Sequence, residues 1–337
     1  MKPSIDMTEC SEVAVAATNA SDIAALPDTT TSAETPVMRR STARSRFGHY
    51  FELTKPRLNF LVIVTTLVGF CVGSPARIDW LLLAHTLLGT ALCAAAATVL
   101  NQFIEIPYDA LMLRTRSRPL PSGAVHPGEA MALGLTFGVA GSVYLFTWVN
   151  PLTAGLGMMT MMWYLGFYTP MKRLTTLNTI IGAVPGALPP VMGFTAAQNH
   201  MSPGAIAIFL ILFFWQMPHF LAIAILYRDD YTRGGFKMLP CIPGGVAMSS
   251  RQILVWSMVL IPISLLPTLA RVAGPVYFVS ALLLGLGFLY FGVAFAATHK
   301  RLDARKLFFA SIIYLPLLLA MMVIDRCDPS PFLLVTP

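Results

Sequence analysis

Nine long apolar runs separated by short polar loops leave this 337-residue chain few ways to fold. They lie at about Leu58–Gly73, Trp80–Ile106, Gly128–Val149, Leu152–Tyr168, Asn178–Ala197, Gly204–Tyr227, Gln252–Val272, Pro275–Thr298 and Lys306–Ile324. Most approach the roughly 20 residues that carry a helix across a bilayer. In lipid a backbone must satisfy its own hydrogen bonds, which leaves helices or a closed barrel, and these runs are too long and too apolar for barrel strands. Composition agrees: 12% of residues are charged, against about 25% in soluble domains, and the mean hydropathy is +0.68. The expected fold is an all-α membrane protein of about nine transmembrane helices.

Charge sets the expected orientation. With the N-terminus in the cytoplasm, the inside regions are the N-terminal stretch and the loops after the second, fourth, sixth and eighth runs. They hold 20 of the 23 Lys and Arg residues, and only Arg77, Arg271 and Arg326 fall outside. This is the positive-inside bias. It accounts for the net charge of +7 without a nucleic-acid partner.

Residues 1–46 are polar, carry six acidic residues (Asp6, Glu9, Glu12, Asp22, Asp28 and Glu34) and end in Arg39, Arg40, Arg44 and Arg46. They read as a disordered cytoplasmic tail, because they cannot bury enough apolar surface to fold alone. A membrane domain at 47–326 and a short tail at 327–337 follow. The five cysteines form no CxxC pair and read as inert thiols. Small residues at Gly134 and Gly138, and at Gly182 and Gly186, are spaced for close helix approach.

Only ten acidic residues lie beyond the tail, and two groups of them fall on the same face of the membrane. The second run ends Asn101-Gln-Phe-Ile-Glu105-Ile-Pro-Tyr-Asp109. Positions four apart on a helix differ by about 40° in azimuth, so Asn101, Glu105 and Asp109 share a stripe. An amide oxygen and two carboxylates suit a hard cation such as Mg2+, which leaves room for substrate phosphates. A carboxylate at a helix C-terminus also opposes the macrodipole, so it needs a reason to be there. Pro107 removes one backbone bond and is placed to set Asp109 on a loop. Arg114, Arg116 and Arg118 follow at once, and arginine presents a fork of donors matched to phosphate oxygens. One of the three is sufficiently explained by loop topology.

The sixth run carries His219 and ends Tyr227-Arg-Asp229-Asp230-Tyr, followed by Gly234-Gly-Phe-Lys237. Asp229 and Asp230, opposite the first group, would complete a two-sided metal–diphosphate clamp. The fourth run ends Tyr168-Thr-Pro-Met-Lys172-Arg173, and Lys172 offers phosphate a point charge. His219 within a span reads equally as a cofactor contact or as a hydrogen bond to a neighbouring helix. Phe103, Phe167 and Phe194 are candidates for an apolar cavity wall. A transporter would place its polar groups near the midplane, whereas these acids gather at one end.

Together these segments resemble the UbiA superfamily of intramembrane prenyltransferases. Asn101-x3-Glu105-x3-Asp109 resembles its first Asp-rich motif, with Glu in place of the usual central Asp. Asn101-Gln-Phe-Ile-Glu105, Gly186-Ala-Leu-Pro-Pro190 and Pro218-His-Phe through Arg228-Asp-Asp-Tyr231 to Met238-Leu-Pro240 are similar to the branch of that family that farnesylates haem. The chain departs from it at Pro107 and at Phe236-Lys237. The resemblance implies helices around a central cavity, and transfer of the farnesyl group of farnesyl diphosphate to a haem B vinyl group with addition of water, giving haem O. The alternative acceptor within the family is a quinone-precursor ring. It further implies Asn101, Glu105, Asp109, Asp229 and Asp230 as catalytic metal ligands for Mg2+. Arg114, Arg118, Tyr168, Lys172, His219 and Lys237 would be substrate-binding residues. A bacterial inner membrane would be the location, with a haem A synthase or terminal-oxidase assembly factors as partners.

Overall fold

The computed structural model describes residues 45–74 and 77–327. The expected tail lies outside the described residues except for Ser45 and Arg46, and the C-terminal tail lies outside except for Cys327. Among the described residues, eight helices are long and apolar enough to cross a membrane, and the chain is a multi-pass membrane protein.

Proline and polar caps explain where these helices start. A proline at the first helical position loses no hydrogen bond, because that N–H has no intrahelical partner anyway. Pro56, Pro127, Pro151, Pro203 and Pro275 all occupy it. They open α2 (Pro56–Gly73), α5 (Pro127–Trp148), α6 (Pro151–Met162), α9 (Pro203–Leu226) and α12 (Pro275–Thr298). Asp79 caps α3 (Trp80–Ile104) by accepting from the Leu82 N–H at 2.9 Å. The remaining long helices are α8 (Asn178–Gln198), α11 (Gly245–Leu269) and α13 (Arg301–Ile324). Short helices α1 (Arg46–Leu53), α4 (Ile106–Asp109), α7 (Thr169–Leu174) and α10 (Arg228–Arg233) sit beside their ends.

The fourth apolar run is the exception. It is helical throughout, but α6 passes into a π-helical stretch, Trp163–Tyr168, and then into α7. That interruption is why eight uninterrupted spans are found where nine apolar runs were expected. A π turn holds one extra residue, so every side chain after it is turned by about 100° from where an α-helix would aim it.

Buried and lipid-facing stripes divide each helix. On α12 the buried stripe is Tyr277, Ala281, Gly285, Phe288, Gly292 and Phe295. On the opposite face Val279, Leu283, Leu286, Tyr290 and Val293 are exposed. In the core, α2 packs on α8, α8 on α9, α9 on α11 and α13, and α13 returns to α2. Arg326, just beyond α13, donates to the Cys71 carbonyl at 2.8 Å and ties the end of the chain to α2.

Prolines inside α8 free carbonyls that other helices then use. Pro185 has no N–H to offer Ile181, and the Ile181 carbonyl accepts from the Trp163 indole of the π stretch at 2.9 Å. The α2–α8 contact is backbone against backbone. A Cβ added at Gly193 would lie 2.0 Å from the Thr66 carbonyl oxygen, so only glycine fits. Replacing Gly193 with alanine should cost about 1–3 kcal/mol through overpacking and lower the thermal midpoint of the detergent-purified protein. Gly155→Ala, which meets nothing within 4 Å, should leave that midpoint unchanged.

Candidate active site

The ends of α2, α3, the π stretch and the loop after α4 converge on one cavity of about 140 Å3. The sequence stripe is its floor. Helix α3 stops at Ile104 and Pro107 falls in the first turn of α4, yet the N–H of Asp109 still reaches the Glu105 carbonyl at 2.8 Å. The chain therefore keeps helical pitch across the break. Asn101, Glu105 and Asp109 are all at least 95% buried and all line the cavity.

Each carboxylate there has its own cation. Lys172 Nζ lies 2.8 Å from Glu105 Oε1, and Arg118 Nη1 lies 2.6 Å from Asp109 Oδ2. Such pairing is required, since a buried unpaired carboxylate is costly. Lys172 also sits over the Tyr168 ring at 4.6 Å. That ring packs where a side chain at Gly182 would stand, since a Cβ added there would come within 2.4 Å of it. Tyr164 and Tyr168, one π turn apart, both face the cavity.

Two further cations line the cavity with no carboxylate ion pair among the described residues. Arg114 lies over the rings of Tyr227 and Tyr231, at 5.1 and 6.0 Å. Lys55, at the joint of α1 and α2, was not singled out from the sequence, where it reads as one more inside charge before Pro56. Its backbone is left-handed, with φ of 47°, an uncommon geometry for a non-glycine residue that tends to mark functional sites. Its Nζ stands 3.5 Å from Asn101 Oδ1. Burial, together with the positive charges of Arg118 and Lys172, pushes its ammonium down to about 7. Arg114, Arg118 and Lys172 alone outnumber Glu105 and Asp109, and Lys55 adds a further charge when protonated, so the cavity is built for an anion.

Several expected residues are elsewhere. Asp229 is exposed, and Asp230 is held by Arg233 one turn later in α10, so neither reaches the cavity. Their neighbour Tyr231 does. The Lys237 side chain is exposed and only its backbone takes part, donating to the Lys172 carbonyl and accepting from Asn178, while Phe236 and Met238 beside it line the cavity. His219 faces α13, where Nδ1 lies 2.6 Å from Ser311 Oγ and the ring stacks between Trp215 and Phe308. The hydrogen bond to a neighbouring helix expected as one reading of His219 is present. Phe194 is fully buried in the helix core, Phe167 is exposed, and Phe103 packs beside Leu53; none lines the cavity. Arg116 is exposed, as plain loop charge requires.

The donor set suits one class of metal. Among the described residues no three His, Cys, Asp or Glu side chains cluster as a closed metal cage. Two carboxylates and an amide oxygen at one cavity are what Mg2+ uses when phosphates and water complete its shell.

The model of the UbiA prenyltransferase family matches residues 62–313. The chain belongs to that family. Similar proteins include the protoheme IX farnesyltransferase of Solibacter usitatus, 44% identical over 286 residues, covering 82% of this chain and 98% of the relative. That of Aquifex aeolicus is 41% identical over 277 residues, covering 82% and 94%. Among solved structures, a digeranylgeranylglyceryl phosphate synthase aligns with a TM-score of 0.71 at 17% identity, covering 83% of this chain and 98% of the other. A UbiA homolog from Archaeoglobus fulgidus bound to GPP and Mg2+ aligns at 0.58 with 15% identity, covering 81% and 99%. These structures share the fold with this UbiA-family chain.

The paired charges make a sharp prediction. Lys172→Met leaves Glu105 buried and unpaired, which should cost about 3–5 kcal/mol. Adding Glu105→Gln should recover most of that loss, read as the thermal midpoint of each purified variant.

Proposed function

We propose that this chain transfers the farnesyl group of farnesyl diphosphate to a vinyl group of haem B, giving haem O and diphosphate. The observation that carries the reading is the buried cavity in which cations outnumber the carboxylates they neutralise, in a chain more than 40% identical to named protoheme IX farnesyltransferases. A diphosphate supplies the anion that this excess of positive charge attracts.

Lys55, Arg114, Arg118 and Lys172 bind phosphate oxygens. As the allylic C–O bond breaks, the bonding pair leaves with diphosphate, and these fixed cations stabilise the charge that develops there. Mg2+, when bound, supplies Lewis-acid stabilisation of the same leaving group. Asn101, Glu105 and Asp109 would hold it, with Lys172 and Arg118 beside them to bind phosphate oxygens. The vinyl π pair then forms the new C–C bond to the farnesyl carbon, and water adds to the resulting cation with loss of a proton. Tyr164, Tyr168, Phe236 and Met238 wall the cavity and keep water from the farnesyl cation until then.

Asp229 and Asp230 enter this scheme through α10. Tyr231 of that six-residue helix already touches the cavity, and Gly234 and Gly235 follow it. A rotation of α10 that breaks the Asp230–Arg233 pair would bring the second acidic pair within reach of a Mg2+ ion held with the diphosphate. The charge asymmetry supports a cytoplasmic position for this end of the bundle, and the bacterial relatives support the inner membrane as the site.

Glu105→Gln and Asp109→Asn, purified and supplied with haem B, farnesyl diphosphate and Mg2+, should each lose at least about a hundredfold in farnesyl transfer, while Arg116→Ala retains it. Full activity in both carboxylate variants would contradict the assignment.

A further inference from the structure

The amide of Asn101 has two ends, and only one of them can serve a cation. Oδ1 can ligate a metal; Nδ2, a donor, repels it. A side chain free to flip would present the wrong end part of the time. What decides the orientation lies on another helix.

Thr169 is the first residue after the π stretch and is 4% exposed. Its hydroxyl donates to the Tyr164 carbonyl at 2.8 Å. That carbonyl also takes the Thr169 N–H, in the wide hydrogen bond that defines the π turn. With its single proton committed, the hydroxyl has only lone pairs left to offer. It accepts from Asn101 Nδ2 at 3.1 Å. On the other side Lys55, whose ammonium form has only protons to give, approaches Oδ1 at 3.5 Å. The result is a one-way chain from Lys55 through the Asn101 amide and the Thr169 hydroxyl to the Tyr164 carbonyl. Each link is oriented by the next, and reversing the amide would set donor against donor at Lys55. The extra residue of the π turn also sets the azimuth at which Thr169 meets α3.

We infer that Thr169 is a positioning residue that locks the Asn101 amide with Oδ1 turned to the metal–diphosphate position. The inference rests on the metal–diphosphate reading of the cavity. It assigns a purpose to the π interruption that neither the helix count nor the apolar run explains.

The test reads metal affinity directly, by titrating Mn2+ against the full-length protein with bound farnesyl thiodiphosphate and following the free-ion resonance. Losing an outer partner of a metal ligand typically weakens binding 10–100-fold, so Thr169→Val should weaken Mn2+ by about tenfold. Thr169→Ser keeps the hydroxyl and should stay within about twofold of the unmodified protein. In an Asn101→Asp background both side-chain oxygens are acceptors and orientation no longer matters, so adding Thr169→Val should then cost nothing. Equal weakening by valine and serine, or equal weakening in both backgrounds, would show a merely structural residue and overturn the inference. So would unchanged affinity in Thr169→Val alongside a weakened Asn101→Ala. If Asn101→Ala itself binds Mn2+ normally, the metal reading of the stripe fails instead, and the role of Thr169 falls with it.

Discussion

Two carboxylates buried at the C-terminal end of a helix are the constraint on which the site depends. The macrodipole disfavours them there, and burial disfavours them further. Glu105 and Asp109 persist because Lys172 and Arg118, from two other parts of the chain, neutralise them at hydrogen-bond distance. That requirement ties the end of α3 to α7 and to the arginine loop. It also means the site is assembled only when the second and fourth crossings are docked.

The same pairing gives the site its chemistry. A carboxylate–cation pair is compact and neutral, and in the proposed reaction each carboxylate would take the metal and each cation a phosphate oxygen. Arg114, joined by Lys55 when protonated, is left over and biases the cavity towards an anion. The apolar and aromatic side chains around it exclude water from a carbocation. Polar floor and dry wall come from the same helix ends, which suits a reaction that separates charge between a leaving group and an allyl cation.

Much of this was legible in the sequence, because lipid simplifies it. Apolar runs marked every long helix, and Pro275–Thr298 was placed to the residue. Four-residue spacing put Asn101, Glu105 and Asp109 on one stripe, and the stripe survived Pro107. What escaped was whatever depends on azimuth or on partners far along the chain. The π turn leaves no trace in an apolar run, since Trp163–Tyr168 continues that run without a charge or a proline. Lys55 looked like ordinary inside charge until its left-handed backbone turned it inward. Asp229 and Asp230 had the right face of the membrane, but Arg233, three residues from Asp230, holds that carboxylate away from the cavity. His219 carried two readings, and the partner for the neighbouring-helix one, Ser311, lies 92 residues away.

The central claim is that this cavity farnesylates haem. Mass analysis of the pigments recovered after incubating the purified protein with haem B, farnesyl diphosphate and Mg2+ tests it most directly. The account predicts a haem heavier by one farnesyl group and one water. Unchanged haem, with prenylation of a quinone-precursor ring in a parallel incubation, would contradict it.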